Sequence, residues 1–391
     1  MTMEPTDTAE TADSADPAAR AERPSRRPTL KDVAAALRVS PMTVSNAYNR
    51  PDQIAPATRA RVLAGAARLG YPGPDPTARS LRRRRAGVVG LLYAGPLSYA
   101  FSDPAAVLFL QGVSLATEAA RLGLLLLSGS APEDTALVAE AAVDGLITFA
   151  LADDDPLLDA ALGRRLPLVL VDQPALAGVA SVGIDDAGGA RAAAAHLMEQ
   201  GRRRVGVMSL GLGPGPDRRG GPADARRQVA ATQPVARARL RGYATALEAA
   251  GIPWAGVPVY ECATLTLAEG ARAAAWLLEQ EPRPTALLAM SDQFALGALD
   301  AARALGLRVP EDVAVVGFDD IPAAARAEPG LTTVRQPHVE KGQRAGHLLI
   351  ASIQGARPDL ATAAVILPTE LVVRGSTVRV PPVTSGERIP V

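Results

Sequence analysis

From Gly87 onward the sequence is a train of short apolar runs. These are "GVVGLLYA" (87–94), "GLLLLSG" (123–129), "DGLITFA" (144–150), "PLVLVD" (167–172), "VGVMSL" (205–210), "ALLAM" (286–290) and "VAVVGFD" (313–319). They read as buried parallel strands, apolar on both faces. Stretches of helical periodicity near 105–121, 186–200, 237–250, 267–280, 293–305 and 338–354 separate them. Alternation of this kind predicts α/β layers around parallel sheets.

The chain has 391 residues, enough for two or three domains. A single cysteine, Cys262, excludes an intramolecular disulfide and fits a reducing compartment. No apolar run reaches the roughly 18 residues a membrane helix needs, and the N-terminus carries acids where a signal peptide needs bases. A soluble, cytoplasmic protein with no membrane partner is expected. Lys31 and Lys341 are the only lysines, which reads as compositional bias toward arginine. The net charge of zero hides an asymmetry. Residues 1–23 hold six acids against two arginines, whereas residues 24–85 hold thirteen bases against three acids. That local excess is a footprint for a polyanion, or a solvated arginine-rich surface.

Residues 1–28, rich in Ala, Pro, Thr and Asp, read as a disordered tail. Order is expected from Thr29, which can cap a helix, with Asp32 completing a capping-box pattern. Leu30, Val33, Ala34 and Leu37 then share one helical face. "RVS" is a turn; Ser40 caps a second helix and Pro41 occupies its first position, where a missing N–H costs nothing. Val44, Ala47 and Tyr48 point inward, and Met42, Thr43, Ser45, Asn46 and Asn49 outward. A third helix from about Pro56 to Leu69 packs Val62, Ala66 and Leu69 against the pair. This is a helix-turn-helix, whose second helix enters the major groove of double-stranded DNA.

The stretch "TLKDVAAALRVSPMTVSNAYNRPDQIAPATRARVLAGAARLGYPGPDPTARSLRRRRAGVVGLL", through "DVA", "VS–TVS", "LGY" and "ARSL", resembles the headpiece and hinge of the lactose-repressor (LacI/GalR) family of bacterial transcription regulators. The resemblance implies a headpiece at 29–74 and a hinge helix at 75–85. It implies an effector-binding and dimerisation core at 86–380, similar to periplasmic sugar-binding proteins, with a further tail at 381–391. By the family's three crossings, lobe one should comprise 86–185 and 337–365, and lobe two 186–336 and 366–380. The third crossing is then near Val365. DNA contacts are expected from Thr29, Ser40, Pro41, Met42, Thr43, Ser45, Asn46, Asn49, Arg79, Leu81 and Arg82. By the resemblance Pro41, Met42 and Asn46 read bases. Leu81 wedges into the central base step, which costs about a few kcal/mol of unstacking and is repaid by the bend. Arg83 to Arg85 are expected to hold phosphates.

Ligands of open α/β sheets bind outside strand carboxyl ends. Asp172, Ser291, Asp292 and Asp319 follow strands, Gln336 closes "LTTVRQ", and Arg239 matches the family's anchoring arginine. These six are the expected effector contacts, suited to paired hydroxyls. Tyr93, Tyr99, Phe101 or Phe294 could supply an aromatic. Residues 211–236 exceed the usual connection and read as a disordered loop beside the cleft; no Gly-Lys-Ser/Thr follows to make a phosphate cradle. His196 reads as structural, and His338 and His347 are not at metal spacing. No cofactor, metal or catalytic constellation is expected. A homodimeric repressor on a palindromic operator, controlled by a sugar or related metabolite, is the reading. A sugar-binding module with no DNA role and an enzyme on the same core are the alternatives.

Overall fold

The computed structural model describes residues 28–73, 85–129, 132–213, 220–356 and 364–378. Hinge residues Arg79, Leu81 and Arg82 and the tail 381–391 lie outside them. The chain divides into two compact units, Met1–Arg84 and Arg85–Val391.

In the first unit, α1 (Leu30–Ala36), α2 (Pro41–Asn49) and α3 (Pro56–Arg68) enclose a small core of Val33, Ala34, Val44, Ala47, Val62 and Ala66, closed by Tyr71. Local chemistry sets both helix starts. The Thr29 N–H donates to Asp32 Oδ2 at 2.7 Å while Thr29 Oγ accepts from the Asp32 N–H, and Ser40 Oγ accepts from the Thr43 N–H at 3.0 Å. Leu69 does not join the core as expected: it is 41% exposed, because α3 has ended and Tyr71, edge-on to Tyr48, fills that corner instead.

In the second unit, lobe one begins with β1 (Val88–Ala94), α4 (Leu97–Ser102), α5 (Pro104–Ala119) and β2 (Gly123–Gly129). It continues with α6 (Thr135–Glu140), β3 (Gly145–Phe149), α7 (Pro156–Gly163), β4 (Leu168–Val171) and β5 (Ala180–Ile184). Lobe two opens with α8 (Asp186–Glu199), β6 (Val205–Ser209), β7 (Gly221–Pro222), α9 (Ala225–Val229), α10 (Pro234–Ala249) and β8 (Val259–Glu261). Next come α11 (Leu267–Leu278), β9 (Ala286–Ala289), α12 (Asp292–Ala304), β10 (Ala314–Asp319), α13 (Pro322–Arg326) and β11 (Thr332–Arg335). The chain returns to lobe one for α14 (His338–Ile353) and β12 (Ala364–Leu367), then re-enters lobe two as β13 (Glu370–Val372). The sheets run β12-β5-β4-β3-β1-β2, wholly parallel, and β13-β11-β10-β9-β6-β8-β7, parallel except for the pairings of β13 and β7.

Because Leu367 still pairs with Ile184, the third crossing falls at 368–369, beyond the expected Val365. The long 211–236 connection is not the structureless loop expected. Residues 220–236 form the edge strand β7, helix α9 capped by Asp224, and the start of α10; 214–219 lie outside the described residues. Arg227 anchors the insertion through a forked ion pair, Nε and Nη2 donating at 2.7 Å each to the buried Glu261 carboxylate. Arg85 Nη2 donates to Ile353 O at 3.0 Å, and the side chain is exposed.

Helix pairs in both lobes approach through glycines. A Cβ on Gly112 of α5 would stand 2.1 Å from Val339 O and 2.9 Å from Gly342 Cα of α14; on Gly297 of α12 it would stand 2.2 Å from Leu267 O of α11. Those atoms are backbone and cannot step aside. Gly112→Ala should therefore destabilise the core by about 2 kcal/mol or more through overpacking. Gly163→Ala, with no heavy atom within 4 Å of the new methyl, should be neutral or slightly stabilising. Denaturant midpoints of the two variants check this.

Candidate functional sites: headpiece helix and interlobe cleft

The outward face of α2 is uneven in what it has to offer. Met42 is 67% exposed beside exposed Pro41. The Ser40 and Thr43 hydroxyls are 2.8 Å apart and engaged with each other, and Thr29 is held in its capping box. Asn49 Nδ2 donates to Ser45 O at 3.0 Å. Asn46, half-buried, has no side-chain partner among the described residues. Asn46 and Met42 can thus reach a base edge without breaking an internal bond; at the amino end of α2, where Pro41 has no N–H and Ser40 takes those of Thr43 and Val44, the Met42 N–H is the one without an acceptor among the described residues.

Between the lobes lies a cavity of about 140 Å³. Strand ends from both sheets meet there in unusual backbone conformations: Ala150, Asp172 and Asp319, all lining it, have φ of +51°, +54° and +124°. Arg38, Arg121 and Arg165, away from the cavity, share the left-handed values of Ala150 and Asp172, whereas φ of +124° at Asp319 lies outside that region and is held by its surroundings. A continuous polar chain crosses the floor. Ser291 Oγ donates to Asp319 Oδ2 at 3.0 Å, and Gln336 Nε2 donates to Asp319 Oδ1 at 2.6 Å. Lys341 Nζ donates to Gln336 Oε1 at 2.8 Å and to Asp172 Oδ2 at 2.5 Å. The chain thus runs from lobe two through the second crossing into lobe one. Arg239, buried, lies with its guanidinium carbon 3.5 Å from the Phe318 ring centre, donates through Nε to Asp186 Oδ1 at 2.8 Å and through Nη1 to Met290 O.

Of the six expected contacts, Asp172, Arg239, Ser291, Asp319 and Gln336 line this cavity. Asp292 does not. Its carboxylate turns under β10, accepting from Thr333 Oγ at 2.5 Å and the Ile321 N–H at 2.9 Å, in space left by Gly317, whose Cβ would strike Asp292 Oδ1. Burial and the neighbouring Asp319 push that carboxyl well above the ordinary range, as befits an internal brace. Tyr93, Tyr99 and Phe294 line the cavity, whereas Phe101 is 62% exposed. Sequence reasoning missed Gln233, His338, Lys341 and Phe149, all in the lining. The one available signal was Lys341, a lysine kept in a chain that uses arginine almost everywhere. His196, with Nε2 2.9 Å from Thr377 Oγ, is a structural contact. Among the described residues no group of His, Cys, Asp and Glu could hold a metal, and no helix is long and apolar enough to cross a membrane.

A larger depression of about 630 Å³ lies in lobe two beside the insertion, Trp254 and Trp276. Its one buried charge, Glu261, is saturated by Arg227 and the Leu212 N–H. The smaller cavity is where polar groups converge.

A helix-turn-helix headpiece followed by a two-lobed, periplasmic-binding-protein-like core defines a DNA-binding transcriptional regulator. Residues 29–73 match the bacterial regulatory proteins of the lacI family, and residues 194–377 the periplasmic binding protein-like domain. The chain is 46% identical to the HTH-type transcriptional regulator Rv3575c of Mycobacterium tuberculosis, over 90% of this chain and 98% of that one. It is 39% identical to the HTH-type transcriptional regulator IpsA of Corynebacterium glutamicum, over 83% and 91%. Similar solved structures include a transcriptional regulator CelR–cellobiose complex (33% identity, TM-score 0.64, covering 90% of this chain and 100% of that one). The lac repressor dimer bound to operator and the anti-inducer ONPF is also similar (25%, TM-score 0.72, 90% and 99%). The protein belongs to the lacI family of bacterial regulatory proteins.

Burial pushes the Asp319 carboxyl up to about 6 against the pull of Arg239. A carboxyl raised above its unfolded value of about 3.9 binds more protons folded than unfolded between about pH 4 and 6. Its share of stability is therefore full in acid and lost as the pH rises through 6. Asp319→Asn, neutral throughout, should gain on the wild type by about 2 kcal/mol between pH 4 and 7.5. Calorimetric melts of both proteins across that range give the difference directly.

Proposed function

We propose that this regulator is a cytoplasmic repressor, not an enzyme, that binds a palindromic operator in double-stranded DNA as a homodimer. A small molecule in the interlobe cavity, a sugar or related metabolite, sets its DNA affinity. The observation that carries the proposal is the polar chain from Ser291 to Asp172, which joins the two lobes through the cavity floor. A ligand that bonds to this chain has a different affinity for open and closed lobes, and differential affinity is what shifts a conformational equilibrium. The headpiece supplies the output. Asn46 and Met42 read the major groove, Ser40, Pro41, Thr43, Ser45 and Asn49 shape that face, and Thr29 holds the first helix. Arg79, Leu81 and Arg82, by the resemblance, act in the minor groove. Asp172, Arg239, Ser291, Asp319 and Gln336 are the proposed effector contacts.

Selection of binding sites from random DNA, followed by footprinting at about 150 mM salt where phosphate-only binding is weakened, tests this. A two-fold symmetric site with a pyrimidine–purine step at its centre supports the dimer and the wedge; no enriched sequence, with or without a metabolite mixture, refutes the reading. On that site, Asn46→Ala should cost about 1–3 kcal/mol and relax specificity at one base pair. Leu81→Ala should reduce specific binding far more than nonspecific binding, measured by gel shift on operator and scrambled duplexes.

A further inference from the structure

Met42 is the one methionine among the described residues that the fold leaves largely in solvent. Met208 and Met290 are fully buried, and Met198 packs half-buried against the core. Met42 is 67% exposed, and among the described residues of the headpiece the next large apolar side chain in solvent is Leu69 at 41%. The other sulfur offers no competing chemistry. Cys262 is 1% exposed and burial pushes its thiol pKa up, so no reactive thiolate is available. An exposed thioether is a soft, oxidisable group, and here it is the sulfur most open to an oxidant.

Its place in α2 gives that exposure a consequence. Met42 follows Pro41, the first residue of the helix, and the amino end of this helix is the part that enters a major groove. Asn46 stands four residues on, so the two share one face with their Cβ atoms about 5–6 Å apart. Helical side chains lean toward the amino end, which tilts Asn46 over Met42. The neighbouring polar groups are occupied: Ser40 with Thr43 at 2.8 Å, and Asn49 on Ser45 O at 3.0 Å. The Asn46 amide, half-buried and without a side-chain partner among the described residues, is the donor within reach of a new acceptor at position 42. A thioether is only a weak acceptor, whereas a sulfoxide oxygen is a strong one.

Resting on the DNA-reading role of α2 proposed above, we propose that Met42 is a redox-modification site. Peroxide converts its thioether to the sulfoxide, and the sulfoxide oxygen draws Asn46 Nδ2 away from the bases. In that step a sulfur lone pair attacks one peroxide oxygen, the S–O bond forms and the O–O bond breaks. The displaced hydroxide takes up the remaining proton and leaves as water, so sulfur gives two electrons and peroxide receives them. Methionine sulfoxide reductases reverse the change: the oxygen leaves as water and a dithiol becomes a disulfide. Oxidation thus removes both groups that α2 offers to a base edge, the apolar contact of Met42 and the amide of Asn46. The attraction of the basic headpiece for phosphates, which carries no sequence information, is untouched.

Full-length protein treated with hydrogen peroxide tests this, with the sulfoxide at Met42 quantified by peptide mass spectrometry. Gel shifts on the selected operator and on a scrambled duplex then compare each protein with its own untreated state. Oxidised wild type should bind operator about 10- to 100-fold more weakly, the cost of base-edge hydrogen bonds left unmade, with the scrambled duplex little changed. Both methionine sulfoxide reductases, one for each epimer, should together restore binding. Met42→Leu, whatever its starting affinity, should lose nothing on treatment, although Met1, Met3 and Met198 remain. In Asn46→Ala the loss on oxidation should be at least about threefold smaller than in wild type, the signature of two coupled side chains. Operator should also shield Met42 from peroxide in the complex. Unchanged operator affinity after full conversion at Met42, an equal loss in Met42→Leu, an equal loss on scrambled DNA, or no shielding would each overturn the site. An undiminished loss in Asn46→Ala would overturn the capture of Asn46. Operator selection comes first and uses untreated protein, so a failed regulator assignment shows before any oxidation and is told apart from a failed switch.

Discussion

Lys341 sets the terms for the core. Its ammonium is almost wholly buried, and a buried charge must be paired and hydrogen-bonded or it is not tolerated. Both acceptors are buried polar groups held by separate segments: Asp172, in a left-handed turn after β4, and Gln336, at the second crossing between lobes. Gln336 in turn holds Asp319, which holds Ser291 at the cap of α12. Placing one cation therefore fixes the carboxyl ends of strands in both sheets. The helix carrying it, α14, is pressed against α5 so closely that Gly112 and Gly342 can have no side chains.

The same arrangement is what makes the cleft fit the proposed regulation. The sheets and the helices that cover them pack through apolar side chains, whereas the facing ends of the lobes are joined by polar contacts. Gln233–Ala150, Asp153–Thr232 and Arg237–Asp153 are bonds of that kind. Their individual strengths are modest, so in the proposed function a ligand contributing a few hydrogen bonds would be enough to move the balance between open and closed lobes. The insertion at 220–236 makes its contribution through this rim: Arg227 and Glu261 fasten it to lobe two, and the two residues before α10, Thr232 and Gln233, touch lobe one.

What was legible in the sequence was what is local or periodic. The first two helix starts of the headpiece could be read from the sequence because caps and turns are decided within four positions: Thr29 with Asp32, Ser40 with Thr43, Pro41 at the first helical position. Most of the seven apolar strands were legible because burial on both faces leaves a continuous signal, and the six helices because one buried face repeats with the helical period; β2, at the sheet edge, is apolar in sequence but buried only toward its carboxyl end. Strands such as β5, β8 and β11 were not. Thr332 and Thr333 of β11 are buried only because Arg374 O and Asp292 accept from their hydroxyls, and those partners lie about forty residues away. Tertiary structure alone decided that Asp292 braces β10 instead of reaching the cleft, that Leu69 stays outside the headpiece core, and that Gln233, His338 and Lys341 belong to the cavity. A side chain's neighbours within a turn are given by covalent spacing; its neighbours across a sheet or a cleft are given by packing, which no single segment contains.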